Sequence, residues 1–161
     1  MKDISNIIPI FPLQGAILLP HGNLPLNIFE PRYLSMVDYT LGKDKLIGII
    51  QPKNKHDKEL YQIGCVGKIS SFNETDDNRY LINLVGISKF IIKEEKDFSR
   101  LFRIFKVDYE PYFHDFNNFN KKKFNKKIFL EKIQLYFKSK GIDVNLGAAK
   151  SIDDKSFIIM I

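Results

Sequence analysis

A single cysteine, no tryptophan and three histidines leave this 161-residue chain short of the side chains from which most active sites are built. One cysteine excludes an intramolecular disulfide, and cytosol is the natural compartment for such a chain. Cys65 sits between Gly64 and Val66 in an apolar stretch, with no His, Lys or Arg within two residues to stabilise a thiolate, so it is expected to be a small buried hydrophobe. His21, His56 and His114 lie far apart in turn-like segments and are expected at the surface. With no close histidine pair, a closed zinc site is not expected. No apolar run reaches the roughly 18–20 residues that span a bilayer, and the N-terminus lacks a basic n-region with a long apolar run behind it. The expectation is a soluble, unprocessed chain that does not enter a membrane.

Nucleotide-binding and hydrolase signatures are missing too. "GCVGKI", residues 64–69, is one interval too short for a phosphate-cradling loop and has Ile after its lysine. No G-x-S-x-G elbow occurs. The chain is expected not to be an enzyme, and to need no cofactor and no metal.

What is present is apolar matter and unevenly spread charge. At 44% hydrophobic the chain can bury a core of one domain. The net charge is +6, and residues 121–140 hold eight Lys and one acid, Glu131, a local +7. The remaining residues therefore sum to −1, and the basic character belongs to one segment.

Residues 4–112 alternate short extended runs with turn chemistry: Ile7 to Leu13, Ala16 to Leu19, Leu24 to Phe29, Leu46 to Gln51, Ile63 to Asn73, Arg79 to Lys93 and Leu101 to Tyr112. This spacing predicts an α+β domain, mainly β, of barrel or sandwich type. The polar segment 73–78, "NETDDN", predicts an antiparallel hairpin. Arg79 to Lys93 is long for a flat strand and carries Gly86 near its middle, which predicts a bulge or bend and hence closure of the sheet. Pro31 at a first helical turn, the stripe Tyr33, Leu34, Val37 and Leu41, and Gly42 as a stop predict a short helix over 31–41.

After Tyr112 the pattern changes, and the division expected is a β domain over 1–112 and a Lys-rich connector with helices over 113–161. Phe113, Phe116, Phe119 and Phe124 lie among Asn and Lys. Phe129, Ile133, Tyr136 and Phe137 form one face of a helix over 126–140, with Gly141 as its stop. Ser151 with Asp154 resembles the start of a further helix, and an ending on "SFIIMI" predicts truncation within it.

One stretch carries chemistry at a corner. "LPLNIFEPRYLSMVDYTL", residues 24–41, runs from an extended segment through Phe29, Glu30, Pro31, Arg32 and Tyr33 into the helix. Glu30 is placed to meet free N–H groups of the first turn, and Arg32 to hold the corner from a buried position. Arg32→Ala is accordingly expected to cost about 1–3 kcal/mol. A direct part in gripping a ligand is the second reading of these five residues.

The same residues carry a resemblance. "IPIFPLQGAILLPHGNLPLNIFEPRYLSMVDYTL", residues 8–41, resembles the N-terminal signature of the Lon substrate-binding domain family, and "IGCVGKISSFNETDDNRYLINLVGISKFII", residues 63–92, is similar to that family's Gly-containing strand, hairpin and following strand. The resemblance implies a PUA-like pseudobarrel of about six strands, a helical bundle after it, and a module that binds unfolded or damaged polypeptide segments. The ATPase and Ser-Lys peptidase modules of the full protease have no counterpart here, and the resemblance admits a separate protease as partner. This chain departs from the signature at Pro20-His21-Gly22, where one residue stands before the Gly. Cereblon carries a related domain, but its Trp-lined pocket lies in another domain and is not expected here.

Candidate polypeptide-binding residues are therefore the corner Phe29–Tyr33 and Phe113, Phe116, Phe119 and Phe124. The alternative is RNA binding through the basic 121–140 segment, whose aromatics are expected to face inward and leave the lysines alone outside. A third reading is an assembly role for the apolar C-terminal end.

Overall fold

The computed structural model describes residues 4–54, 59–96, 100–116 and 126–147. The chain falls into two compact units, Met1–Asn118 and Phe119–Ile161. The first unit contains the strands β1 (Ile7–Pro12), β2 (Asn23–Ile28), β3 (Leu46–Pro52), β4 (Leu60–Glu74), β5 (Tyr80–Lys96) and β6 (Arg103–Asp108), with helix α1 (Pro31–Leu41) between β2 and β3. A 3₁₀ segment, Glu110–Phe116, follows β6. The second unit contains helix α2 (Lys126–Ser139).

The strands form one mixed sheet in the order β2-β5-β4-β3-β1-β6, and an additional pairing of β5 with β6 closes it. Closure is possible because β5 is 17 residues long and serves two neighbours along one edge. Its first half pairs with β2, from Tyr80↔Ile28 to Val85↔Asn23, and its second half pairs with β6, from Ile91↔Asp108 onward. β1 and β3 run parallel, Ile10 opposite Gly48. Both are buried on both faces, which is why "IIPIF" and "LIGII" read as continuous apolar runs without alternation.

Two apolar clusters fill the unit. One gathers Ile8, Ile10, Ile50, Val66, Phe105 and Val107 round the fully buried ring of Phe90. A Cβ added at Gly64 would stand 2.5 Å from Phe90 Cζ and 2.6 Å from the Ile49 carbonyl oxygen, so the absent side chain there is what admits the ring. The other cluster lies under α1 and takes Tyr33, Met36 and Val37 from the helix with Phe11, Ile47, Ile49 and Leu84 from the sheet. The face α1 buries is Tyr33, Met36, Val37 and Thr40; Leu34 and Leu41, expected on that stripe, are only partly buried beside it. Thr40 fits because its hydroxyl donates to the Met36 carbonyl at 2.7 Å.

The hairpin and the bend come out as the sequence implies. Thr75 N–H donates to the Arg79 carbonyl at 2.9 Å and Asn78 takes the left-handed conformation, φ 59, that asparagine tolerates. At Gly86 the β4–β5 register slips, Val66 facing Ser88 and Gly67 facing Gly86, so Ile87 is the bulged residue. A Cβ at Gly86 would lie 2.0 Å from the Leu19 carbonyl oxygen. The chain before β2 thus crosses β5 in direct main-chain contact: His21 N–H donates to the Gly86 carbonyl and Gly86 N–H to the Gly22 carbonyl, both at 2.9 Å. In the Pro20-His21-Gly22 turn the positive φ, 64, falls on His21.

Two expected strands differ. Ala16 to Leu19 is not a strand: Leu18 alone turns inward, Ile17 and Leu19 are exposed, and the Ala16 carbonyl is taken by the Gln51 side chain in place of a ladder partner. The run from Leu101 to Tyr112 is a strand only over Arg103–Asp108, and its end coils into the 3₁₀ segment, where Glu110 N–H donates to the Asp108 side chain. In the second unit, α2 buries Leu130 and half-buries Phe129, Ile133 and Phe137; Tyr136, expected with them, is 60% exposed. The helix expected from Ser151 lies outside the described residues.

Candidate functional site

β2 ends at Ile28, and Phe29 and Glu30 carry the chain into α1 with Pro31 at its first turn. The junction is held by main chain: the Glu30 carbonyl accepts from Tyr33 N–H at 2.9 Å and Leu34 N–H at 3.0 Å. The Glu30 side chain makes no capping bond, contrary to expectation. Its carboxylate instead accepts from Arg32 Nε at 3.0 Å. That pair is at the surface, with side-chain exposures of 43% for Arg32 and 47% for Glu30, so Arg32 is not the buried anchor the sequence predicts. Its guanidinium also lies 4.4 Å above the ring of Tyr33. Tyr33 is the architectural member of the five, 4% exposed and packed at 4.1 Å between ring centroids on Phe11.

Phe29 has the opposite character and is 62% exposed. The antiparallel register that sets Ile28 against Tyr80 brings Phe29 beside Arg79, whose guanidinium carbon is 5.7 Å from the ring centroid. Arg79 is itself paired to Asp77 at 2.7 Å, and that hydrogen-bonded pair, after the Thr75 hydroxyl, holds the Asp77 carboxyl below its usual range. Alternation places Leu81, 42% exposed, on the same outward face, directly across from Asn27 on one side and Asn73 on the other. Pro25 and Asn83 continue that face, where Asn83 Nδ2 donates to the Ser70 hydroxyl at 2.8 Å and the Asn23 side chain at 3.3 Å. The outcome is an outward surface of β2, β5 and β4 with two large apolar groups among uncharged amides and hydroxyls. Leu81, Asn83 and Arg79 were not singled out from the sequence, because "YLINLV" is apolar on both faces and its outward members are not distinguishable by pattern.

The second candidate set lies on the 3₁₀ segment that follows β6. Phe113 is 49% exposed and Phe116 is half-buried, its ring edge-on to Tyr109 at 5.8 Å. The segment carrying them is fixed by Asp115, which accepts from Lys89 N–H at 3.0 Å and from Lys89 Nζ at 2.9 Å. Lys89 lies nine residues along β5 from Tyr80, beyond the bulge at Ile87 and outside the stretch that pairs with β2. The fold therefore does not bring Phe113 and Phe116 to the corner. Phe119 and Phe124 lie outside the described residues, as does the 121–125 part of the basic segment.

Other chemistry-bearing side chains lie apart from the corner. Cys65 is 3% exposed, and burial first, then the Asp115 carboxylate, pushes its thiol up to about 12. His114 is exposed beside Asp115. Among the described residues no group of three or more His, Cys, Asp or Glu side chains could hold a metal ion, and no helix is long and apolar enough to cross a membrane.

A closed six-stranded mixed sheet with α1 packed on one of its two apolar clusters defines a small β-barrel domain. The particular family follows from comparison: the model of the ATP-dependent protease La (LON) substrate-binding domain matches residues 7–154, and the chain belongs to that family. It is similar to Lon protease 2 of Sorangium cellulosum, 30% identical over 95 residues, covering 55% of this chain and 12% of that protein. Cereblon of Gallus gallus is 25% identical over 95 residues, covering 57% of this chain and 21% of cereblon. The chain thus spans about an eighth of the Lon relative's length. Among solved structures, a Lon N-terminal domain protein from Xanthomonas campestris superposes with a TM-score of 0.55 at 23% identity, covering 66% of this chain and 60% of that one. The N-terminal domain of Mycobacterium avium complex Lon protease does so with 0.59 at 11% identity, covering 84% and 69%. These likenesses show the fold and agree with the PUA-like pseudobarrel implied by the sequence resemblance.

Proposed function

We propose that this Lon-type substrate-recognition module binds unfolded or damaged polypeptide segments, in the cytoplasm, and delivers them to a separate protease. The observation that carries the reading is Phe29: an aromatic ring 62% exposed at a corner stiffened by Pro31 and a buried Tyr33, with Leu81 diagonal to it on the neighbouring strand. Exposing that ring costs free energy unless something covers it, and unfolded chains offer apolar side chains to do so. The rim suits such a ligand. Arg79 and Arg32 are each neutralised by an adjacent carboxylate, so the surface neither repels nor demands charge. The recognition surface belongs to the β unit, and Phe113 with Phe116 offers a lesser contact on the 3₁₀ segment.

The test is fluorescence anisotropy of labelled, reduced and carboxymethylated lactalbumin, a chain that cannot fold, titrated with the protein at low and moderate salt with unlabelled RNA as competitor. Binding that survives salt and ignores RNA supports the reading. Binding abolished by salt or displaced by RNA overturns it in favour of the basic segment.

A further inference from the structure

We propose that clients bind by adding a strand to the free edge of β2, a mode of recognition that rests on the polypeptide-binding reading above. Among the described residues β2 has one neighbour along its whole length, β5. The Gly86 N–H to Gly22 carbonyl bond fixes which residues face that neighbour. In an antiparallel ladder the bonded pairs recur every second residue, so Leu24, Leu26 and Ile28 bond toward β5. Asn23, Pro25 and Asn27 then direct their main-chain groups away from it. The edge presents three carbonyls and two N–H donors, since Pro25 has none.

Side chains point the same way. Leu24 and Leu26 face the core beneath α1 yet remain only half-buried, unlike Ile28, and among the described residues no strand lies beyond them. An added strand would lay its alternate side chains across these two leucines while its main chain bonded to Asn23 and Asn27. Main-chain pairing is independent of sequence, and a receptor for unfolded chains of many sequences requires that property.

Pro25 and the absence of charge decide what the occupant is. Edge strands are commonly guarded by charged side chains and by proline; "NLPLNI" carries no charge and one proline, which leaves Asn23 and Asn27 on either side of it able to pair. A second copy of β2 is disfavoured: pairing two such edges puts a donorless proline on each side and loses two hydrogen bonds from a six-residue strand. A client strand meets one proline and loses one. The other strand with an open stretch, β4 beyond Ile69, is broken by the register shift between Ile69 and Ser71 and ends on Glu74. The ligand that fits β2 is an extended segment whose central residues are uncharged, with apolar residues at alternate positions.

The experiment uses the full chain and three probes: the carboxymethylated lactalbumin, the peptide Ac-Lys-Thr-Val-Thr-Val-Thr-Val-Thr-Lys-amide N-methylated at alternate residues, which keeps one bonding edge, and the same peptide N-methylated throughout, which keeps none. Amide–water exchange is followed by NMR on the labelled protein. The expected result is binding of lactalbumin and the alternately methylated peptide only, with the Asn23 and Asn27 amides slowed about tenfold at peptide tenfold above Kd. Equal binding of both peptides, lactalbumin binding without either peptide, or protection confined to residues 70–74 overturns the β2 edge and leaves the recognition reading standing. Failure of all three probes to bind overturns both.

Discussion

The Asp115 carboxylate accepts both the main-chain N–H of Lys89, at 3.0 Å, and its ammonium, at 2.9 Å, so one side chain of the 3₁₀ segment fastens that segment to the middle of β5. Burial alone would raise the Asp115 carboxyl above its ordinary value of 3.8; the Lys89 N–H and ammonium outweigh it and the net shift is downward. A carboxyl lowered on folding stabilises fully above its unfolded value and loses that contribution as pH falls through the folded one. Asp115→Asn is expected to cost about 1–3 kcal/mol at neutral pH in urea melts. Wild type and variant should converge as pH drops below 3.8. A difference that persisted unchanged at lower pH would assign the loss to packing.

Gly86→Ala is expected to be among the most damaging single changes. Its Cβ would meet main chain, the Leu19 carbonyl, at 2.0 Å, and neither partner can rotate away. Loss at or above the top of the ~1–3 kcal/mol range for overpacking should appear as a lowered urea midpoint. Gly42→Ala, where the new Cβ stays 3.8 Å from its neighbours at an ordinary φ of −74, is the control and should stay within about 0.5 kcal/mol.

Arg32→Ala should lower stability by less than about 1 kcal/mol, because its partner Glu30 shares an exposed ion pair. The larger cost expected from sequence presumed burial. Thermal melts at low and high salt test this, and any loss should shrink as salt rises.

Phe29→Ala should leave the melting curve almost unmoved, within about 0.5 kcal/mol, while weakening lactalbumin binding roughly 5- to 30-fold, as for an exposed aromatic anchor. Unchanged binding would remove Phe29 from the recognition surface.

The Cys65 thiol should resist a disulfide reagent in the native protein and react at once in denaturant, since it is 3% exposed and pushed up to about 12. Reaction at a rate tracking urea concentration would report opening of β4 against β5, where Cys65 faces Lys89.

Local chemistry made the sequence legible wherever it acted alone. Asn78 and the polar turn gave the hairpin, Gly86 the bulge, and Pro31 with Gly42 the limits of α1. Long-range pairing left no such mark: nothing in "IIPIF" or "LIGII" says that β1 and β3 lie side by side in parallel. Ala16 to Leu19 has strand composition but makes no ladder: the chain bonds to β5 at the turn that follows, through His21 and Gly22, and the Ala16 carbonyl goes to the Gln51 side chain. At the candidate site the corner residues were visible, but not their division of labour. Tyr33 is core, as its place on the helix stripe implies, whereas Phe29 is surface because the strand-to-helix corner turns it outward, which its apolar character does not reveal.

The pairing of β1 with β6, Ile7 opposite Lys106 and Ile10 opposite Arg103, also sets a timetable for biosynthesis. The earliest-made of the six described strands is completed by the latest, and the Tyr109 hydroxyl donates to the Ser5 carbonyl across 104 residues of chain. At ~5–20 residues per second, a ribosome needs roughly 5–20 s to supply that partner. Throughout that interval "IIPIF" has no β6 to cover it, and the nascent chain presents the kind of apolar extended segment that chaperones retain.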